Sequence, residues 1–67
     1  MQYKRLKDMR EDADLTQAAL ASELKISQPQ YHMYETGKRD VPTDILIALA
    51  KRYHTSVDYL LGLTDQK

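Results

Sequence analysis

Two helix-start signals, Thr16 and Ser27, stand only eleven residues apart, and that spacing leaves the chain between them very few options. Thr16 precedes a segment from about Gln17 to Leu24 whose apolar residues Leu20, Ala21 and Leu24 recur at helical spacing. Its hydroxyl is suited to accept from a free backbone N–H of the first turn. Lys25 and Ile26 leave room for nothing longer than a tight turn. Ser27 then opens a second helix that runs to Thr36 and stops at Gly37. Ser27-x-x-Gln30 fits a capping box, in which side chain and backbone satisfy each other's free donors. Pro29 falls in the first turn, where no intrahelical N–H bond is lost. Two helices joined so closely must cross steeply, at about 90–120°. Ala21 is small where they approach, and Ile26 is apolar in the turn. Tyr31 and Tyr34, three apart, supply the inward face of the second helix, which leaves Gln28, Pro29, His32 and Met33 facing outward.

The flanking segments read as three more helices and no strand. Tyr3 to about Ala13 carries Leu6, Met9 and Ala13 at helical spacing. After a loop over Lys38–Pro42, Thr43 is the expected cap of a helix from Asp44 to Tyr53. Ser56 is the expected cap of a last helix from Val57 to about Leu61, ended by Gly62. Residues 63–67 read as a tail. The expectation is an all-α fold, a compact five-helix bundle forming a single domain over residues 1–67, with the helix-turn-helix at about 17–36.

A chain of 67 residues buries only about 60% of its unfolded surface. It has no cysteine, which excludes disulfide staples and cysteine-based metal sites, and its two histidines are too far apart for an i, i+4 metal pair. No cofactor, metal or small-molecule ligand is expected. No apolar run resembles a secretory signal or a membrane span, so a cytoplasmic setting without a membrane partner is the expectation. No nucleophile–base–acid set and no glycine-rich phosphate loop is present, so the chain does not read as an enzyme.

Ten basic and ten acidic residues cancel to a net charge of zero. The distribution is more informative than the sum. Lys4, Arg5, Lys7 and Arg10 cluster near the start, interrupted by Asp8, and Lys38 and Arg39 follow the second helix of the pair. An outward face carrying Gln and His suits the reading of base edges, since Gln pairs bidentately with adenine. The N-terminus of that helix offers backbone N–H groups to phosphate.

The run LTQAALASELKISQPQYHMYETGKRDVP, followed by LAKRYHTSVDYLLG, resembles the Xre, or lambda-repressor-like, helix-turn-helix domains over about Leu6 to Gly62. The resemblance implies a sequence-specific regulator of transcription that binds a double-stranded DNA operator, most often a repressor acting as a homodimer on an inverted repeat. Gln28, with Pro29, His32 and Met33, would read bases. Gln17, Ser27, Thr36, Lys38 and Arg39 would meet phosphates. Arg10 and Glu35 resemble a structural ion pair tying the first helix to the recognition helix. Lys25 stands where the family usually has glycine, Pro29 replaces a common polar contact residue, and His54 replaces a common Gly or Asn. Strain on the order of 1 kcal/mol is expected if Lys25 is left-handed.

Plainer roles stand beside these. Lys4, Arg5 and Lys7 read first as a solvated face, with phosphate contact as the alternative, and His32 also reads as a solvent-facing side chain. Ile47 widens the apolar face of its helix beyond one stripe, which suits either extra core or a dimer contact. Tyr59 is open between core edge and dimer contact. The zero net charge keeps a second function in play, a protein-interaction module, antitoxin or adaptor, on the same scaffold with weak or no DNA binding.

Overall fold

A computed structural model describes all 67 residues, and every apolar stripe named above meets in one core beneath five helices. They are α1 (Lys4–Asp12), α2 (Gln17–Leu24), α3 (Gln28–Thr36), α4 (Thr43–Arg52) and α5 (Val57–Leu60). Leu6, Leu20, Tyr31, Leu49 and Leu60, one from each helix, are fully buried. Tyr34 is buried with them, so both tyrosines of α3 face the core and not solvent. Ile26 and Leu15, from the connections on either side of α2, pack half-buried against the cluster.

The caps explain why α2 and α3 begin where they do. Thr16 Oγ1 accepts from the Ala19 N–H at 3.0 Å, and Ser27 Oγ accepts from the Gln30 N–H at 3.2 Å. The capping box of α3 is only half made. Gln30 turns its amide away from Ser27 and donates to the Tyr34 hydroxyl at 2.8 Å, because that buried phenol needs a partner more than an exposed backbone N–H does. Ser56 caps α5 as its position suggests, accepting from the Tyr59 N–H at 3.0 Å. Thr43 is not a cap. Pro42 occupies that position with extended backbone, and Thr43 is the first helical residue. Ala13 does not join the stripe of α1 but is exposed beyond its end, since the helix closes at Asp12.

Left-handed backbone follows all five helices, at Asp14, Lys25, Gly37, His54 and Gly62. Gly37 (φ 80°) closes α3, whereas Lys25 (φ 60°) closes α2 and His54 (φ 54°) follows α4 without the freedom of glycine. Asp14 (φ 56°) makes the same excursion between α1 and α2. Residues beyond α5 do not dangle. The Arg5 guanidinium lies 4.0 Å from the centroid of the Tyr59 ring, donates to the Tyr59 carbonyl at 2.9 Å and to the Thr64 carbonyl, and pairs with Asp65 at 2.8 Å. The radius of gyration, 10.7 Å, matches the roughly 11 Å of a fully compact chain of this length, as a clasped tail requires.

Candidate nucleic-acid interface

The outward face of α3 is built upward from a buried ion pair. Arg10 Nε, on α1, lies 2.6 Å from Glu35 Oε2, and the two side chains are 12% and 4% exposed. Arg10 Nη2 reaches Glu35 Oε1 at 3.3 Å, which makes the contact bidentate, and Nη1 donates to the Leu15 carbonyl at 2.8 Å. One guanidinium thus joins α1, the α1–α2 connection and α3. Burial pushes the Glu35 carboxyl upward, but the Arg10 guanidinium, followed by the Tyr31 hydroxyl and the Gln17 amide, outweighs this and holds it below the usual carboxylate range. The hydrogen bond to Glu35 raises Arg10 in turn, against the opposing effect of its burial. The Tyr31 hydroxyl stands near this carboxylate but in no well-aligned hydrogen bond. Burial first, and the carboxylate second, push it far above the ordinary phenol range, so it stays neutral.

From Glu35 a hydrogen-bonded chain rises to the surface. Gln17 Nε2 donates to Glu35 Oε1 at 3.1 Å. Gln28 Nε2 donates to Gln17 Oε1 at 2.8 Å, and His32 Nδ1 lies 3.3 Å from the same oxygen. Gln17, which the family resemblance sets against phosphate, is half-buried because its amide is turned toward the ion pair. Gln28, Pro29, His32 and Met33 are all exposed along one side of α3. The structure therefore brings Gln17, Gln28 and His32 into direct contact and sets them on top of the Arg10–Glu35 pair.

At the other end of α3, Thr36 donates its hydroxyl to the Met33 carbonyl at 3.3 Å, and the Arg39 N–H folds back to the same carbonyl at 3.3 Å. This places Lys38 and Arg39 beside the helix, exposed and with no carboxylate in ion-pair range. Nine residues of α3 span roughly 13 Å at 1.5 Å per residue. Ser27 and the cations at Lys38 and Arg39 stand at opposite ends of that length.

One contributor escaped the sequence reading. Gln2 donates from Nε2 to the Glu35 carbonyl at 3.1 Å and holds the chain start against the end of α3. Lys7, an exposed and unpaired cation of the basic cluster, shares a polar cleft with Gln17 and His32. It stands three residues before Arg10 on α1, and i and i+3 share a helix face. Ile47 is 45% exposed on α4, away from the core cluster. Tyr59 is half-buried, with one ring face already covered by Arg5.

This arrangement, a capped pair of helices joined by a turn with a polar outward face on the second, defines a helix-turn-helix protein. Residues 6–60 match the family model described as Helix-turn-helix, and the chain belongs to that family, of the Xre or lambda-repressor-like type. It is similar to the uncharacterized HTH-type transcriptional regulator YobD of Bacillus subtilis (strain 168), with 42% identity over 65 residues, covering 97% of this chain and 58% of the relative. It is also similar to the HTH-type transcriptional regulator ImmR of the same organism, with 44% identity over 59 residues, covering 88% of this chain and 46% of the relative. The chain thus spans about half the length of the curated relatives it matches. No helix is long and apolar enough to cross a membrane.

Proposed function

We propose that the chain binds duplex DNA sequence-specifically and regulates transcription, as a repressor that seats a dimer on an inverted-repeat operator. The observation that carries this reading is the anchored Gln28. A solvent-exposed glutamine on the first turn of α3 is fixed at 2.8 Å by Gln17, which is itself fixed by a buried ion pair. A side chain with no external task gains nothing from such anchoring at the surface, whereas a base-reading amide needs its orientation set before DNA arrives. Gln28, His32 and Met33 are assigned to base edges. Pro29, exposed beside Gln28, has no polar side-chain group to offer and is assigned to apolar contact with bases. Gln17, Ser27 and Thr36, with Lys38 and Arg39, are assigned to phosphates. Two copies would present their α3 helices one helical turn, about 34 Å, apart. The relatives' names as HTH-type transcriptional regulators support the same reading.

The zero net charge favours a second reading, a helix-turn-helix module that recognises a partner protein. Titration of the chain against a pool of random duplexes at low and moderate salt separates the two. Binding that weakens steeply with salt and enriches an inverted repeat supports the first. Absence of any complex at low salt supports the second.

A further inference from the structure

The hydrogen-bonded chain beneath the surface has a direction, and that direction reaches His32. Arg10 is only a donor, and an ionised Glu35 is only an acceptor. The Gln17 amide must therefore turn its nitrogen toward Glu35, which the 3.1 Å contact from Nε2 shows. Its oxygen is left facing the surface, where it takes the Gln28 amide at 2.8 Å and meets His32 Nδ1 at 3.3 Å. An oxygen cannot donate, so the proton of a neutral His32 belongs on Nδ1. The opposite ring nitrogen, Nε2, then carries a lone pair and points away from Gln17 on the exposed side of α3.

Resting on the DNA-reading function above, we infer that Gln17 sets the tautomer of His32, so that His32 meets a base pair as a hydrogen-bond acceptor. An acceptor at Nε2 matches the amino group of cytosine or adenine in the major groove, whereas a donor matches guanine O6 and N7. The charged groups facing His32 are Lys7 and Arg10 from α1 and Glu35 from α3; Gln2, Gln17 and Thr36 are neutral. Arg10 and Glu35 cancel, and the Glu35 carboxyl is held low, so it stays an acceptor and keeps the Gln17 nitrogen turned toward it. The diagnostic quantity is the ratio of affinities for two bases at one position.

The test has two arms on the full chain. Nitrogen-15 NMR of the imidazole rings, with His32→Gln assigning one of the two histidines, reads the tautomer of the free protein at about pH 7.5. The expected result is the Nδ1–H form, reverting toward the Nε2–H form in Gln17→Met. An Nε2–H tautomer in the unaltered chain overturns the inference without reference to DNA. The second arm competes duplexes differing at the single base pair facing His32, at the same pH. Cytosine or adenine is expected to be preferred over guanine by about fivefold, and that preference is expected to be lost in His32→Ala. Equal affinities in the unaltered chain overturn the base-reading role. Failure to bind any duplex overturns that role together with the proposed function, and the NMR arm still reports whether Gln17 sets the ring.

Discussion

Gln28 Nε2 lies 2.8 Å from Gln17 Oε1, so the first residue of α2 fixes the first residue of α3. Neither amide is free to rotate without breaking the other's hydrogen bond, and both are assigned to DNA. Gln28→Ala is expected to weaken binding to the selected operator by about 1–3 kcal/mol. Gln17→Ala releases Gln28 from its anchor and weakens binding as well. The double variant is expected to lose less than the sum of the two, by a coupling energy of about 0.5–3 kcal/mol. Fluorescence anisotropy at constant salt measures all four corners of the cycle, and strict additivity would show that the contact does not matter on DNA.

Beneath that pair, Arg10 and Glu35 stand to lose more from substitution than any surface charge. Glu35→Ala leaves a nearly buried guanidinium without its counter-ion, and about 3 kcal/mol of stability is expected to go with it. The pH dependence has a definite sign. The folded carboxyl is held below its ordinary value of 4.5, so its contribution is fully present above that pH and is lost as pH falls toward the folded value. Urea denaturation between about pH 7 and pH 3 should show the unaltered chain losing this part of its stability below about pH 4.5. An Arg10→Met, Glu35→Met variant lacks it throughout. A difference between the two proteins that is constant across the range would remove the linkage.

Much of this was legible because short-range rules agree with one another here. Thr16, Ser27 and Gly37 mark the ends of α2 and α3 by local chemistry, and the spacing of Leu20, Ala21, Tyr31 and Tyr34 sorts core from surface. Sequence failed where the partner lies far along the chain. Gln30 looks like a capping residue until the buried Tyr34 hydroxyl is found beside it. Gln17 looks outward until a buried carboxylate, eighteen residues away, captures it. The clasp of Arg5 on Thr64 and Asp65 has no local signature at all. Family resemblance supplied the Arg10–Glu35 pairing, which spacing alone left indistinguishable from two exposed charges.

Gly37 and Gly62 have nearly the same backbone, with φ of 80° and 79°, but different surroundings. A Cβ on Gly37 would stand 2.8 Å from the Gln2 nitrogen and 2.9 Å from its Cα, whereas one on Gly62 meets nothing within 4 Å. Gly62→Ala is therefore expected to cost only the left-handed penalty, about 1 kcal/mol. Gly37→Ala adds the displacement of the chain start from the end of α3, including the Gln2 bond to the Glu35 carbonyl. Thermal unfolding should rank Gly37→Ala clearly below Gly62→Ala, and equal losses would mean that the first residues yield at no cost.

Lys25 tests the same physics in the opposite direction. It closes α2 in the left-handed region at φ 60°, ψ 37°, with its N–H bonded to the Ser22 carbonyl at 3.1 Å. The side chain is exposed and pairs with no carboxylate, so no ion pair offsets the backbone strain. Glycine removes about 1–2 kcal/mol of that strain and returns about 0.4–1 kcal/mol through the greater freedom of the unfolded chain. The net expectation for Lys25→Gly is a gain of about 0.5–1 kcal/mol, or roughly 3–6 °C in Tm for a domain of this size. The turn between the two helices keeps its geometry, so the operator preference should not move. A Tm that falls instead would show that the aliphatic stem of Lys25 packs usefully over the turn, and that glycine was displaced from this position for a reason of stability.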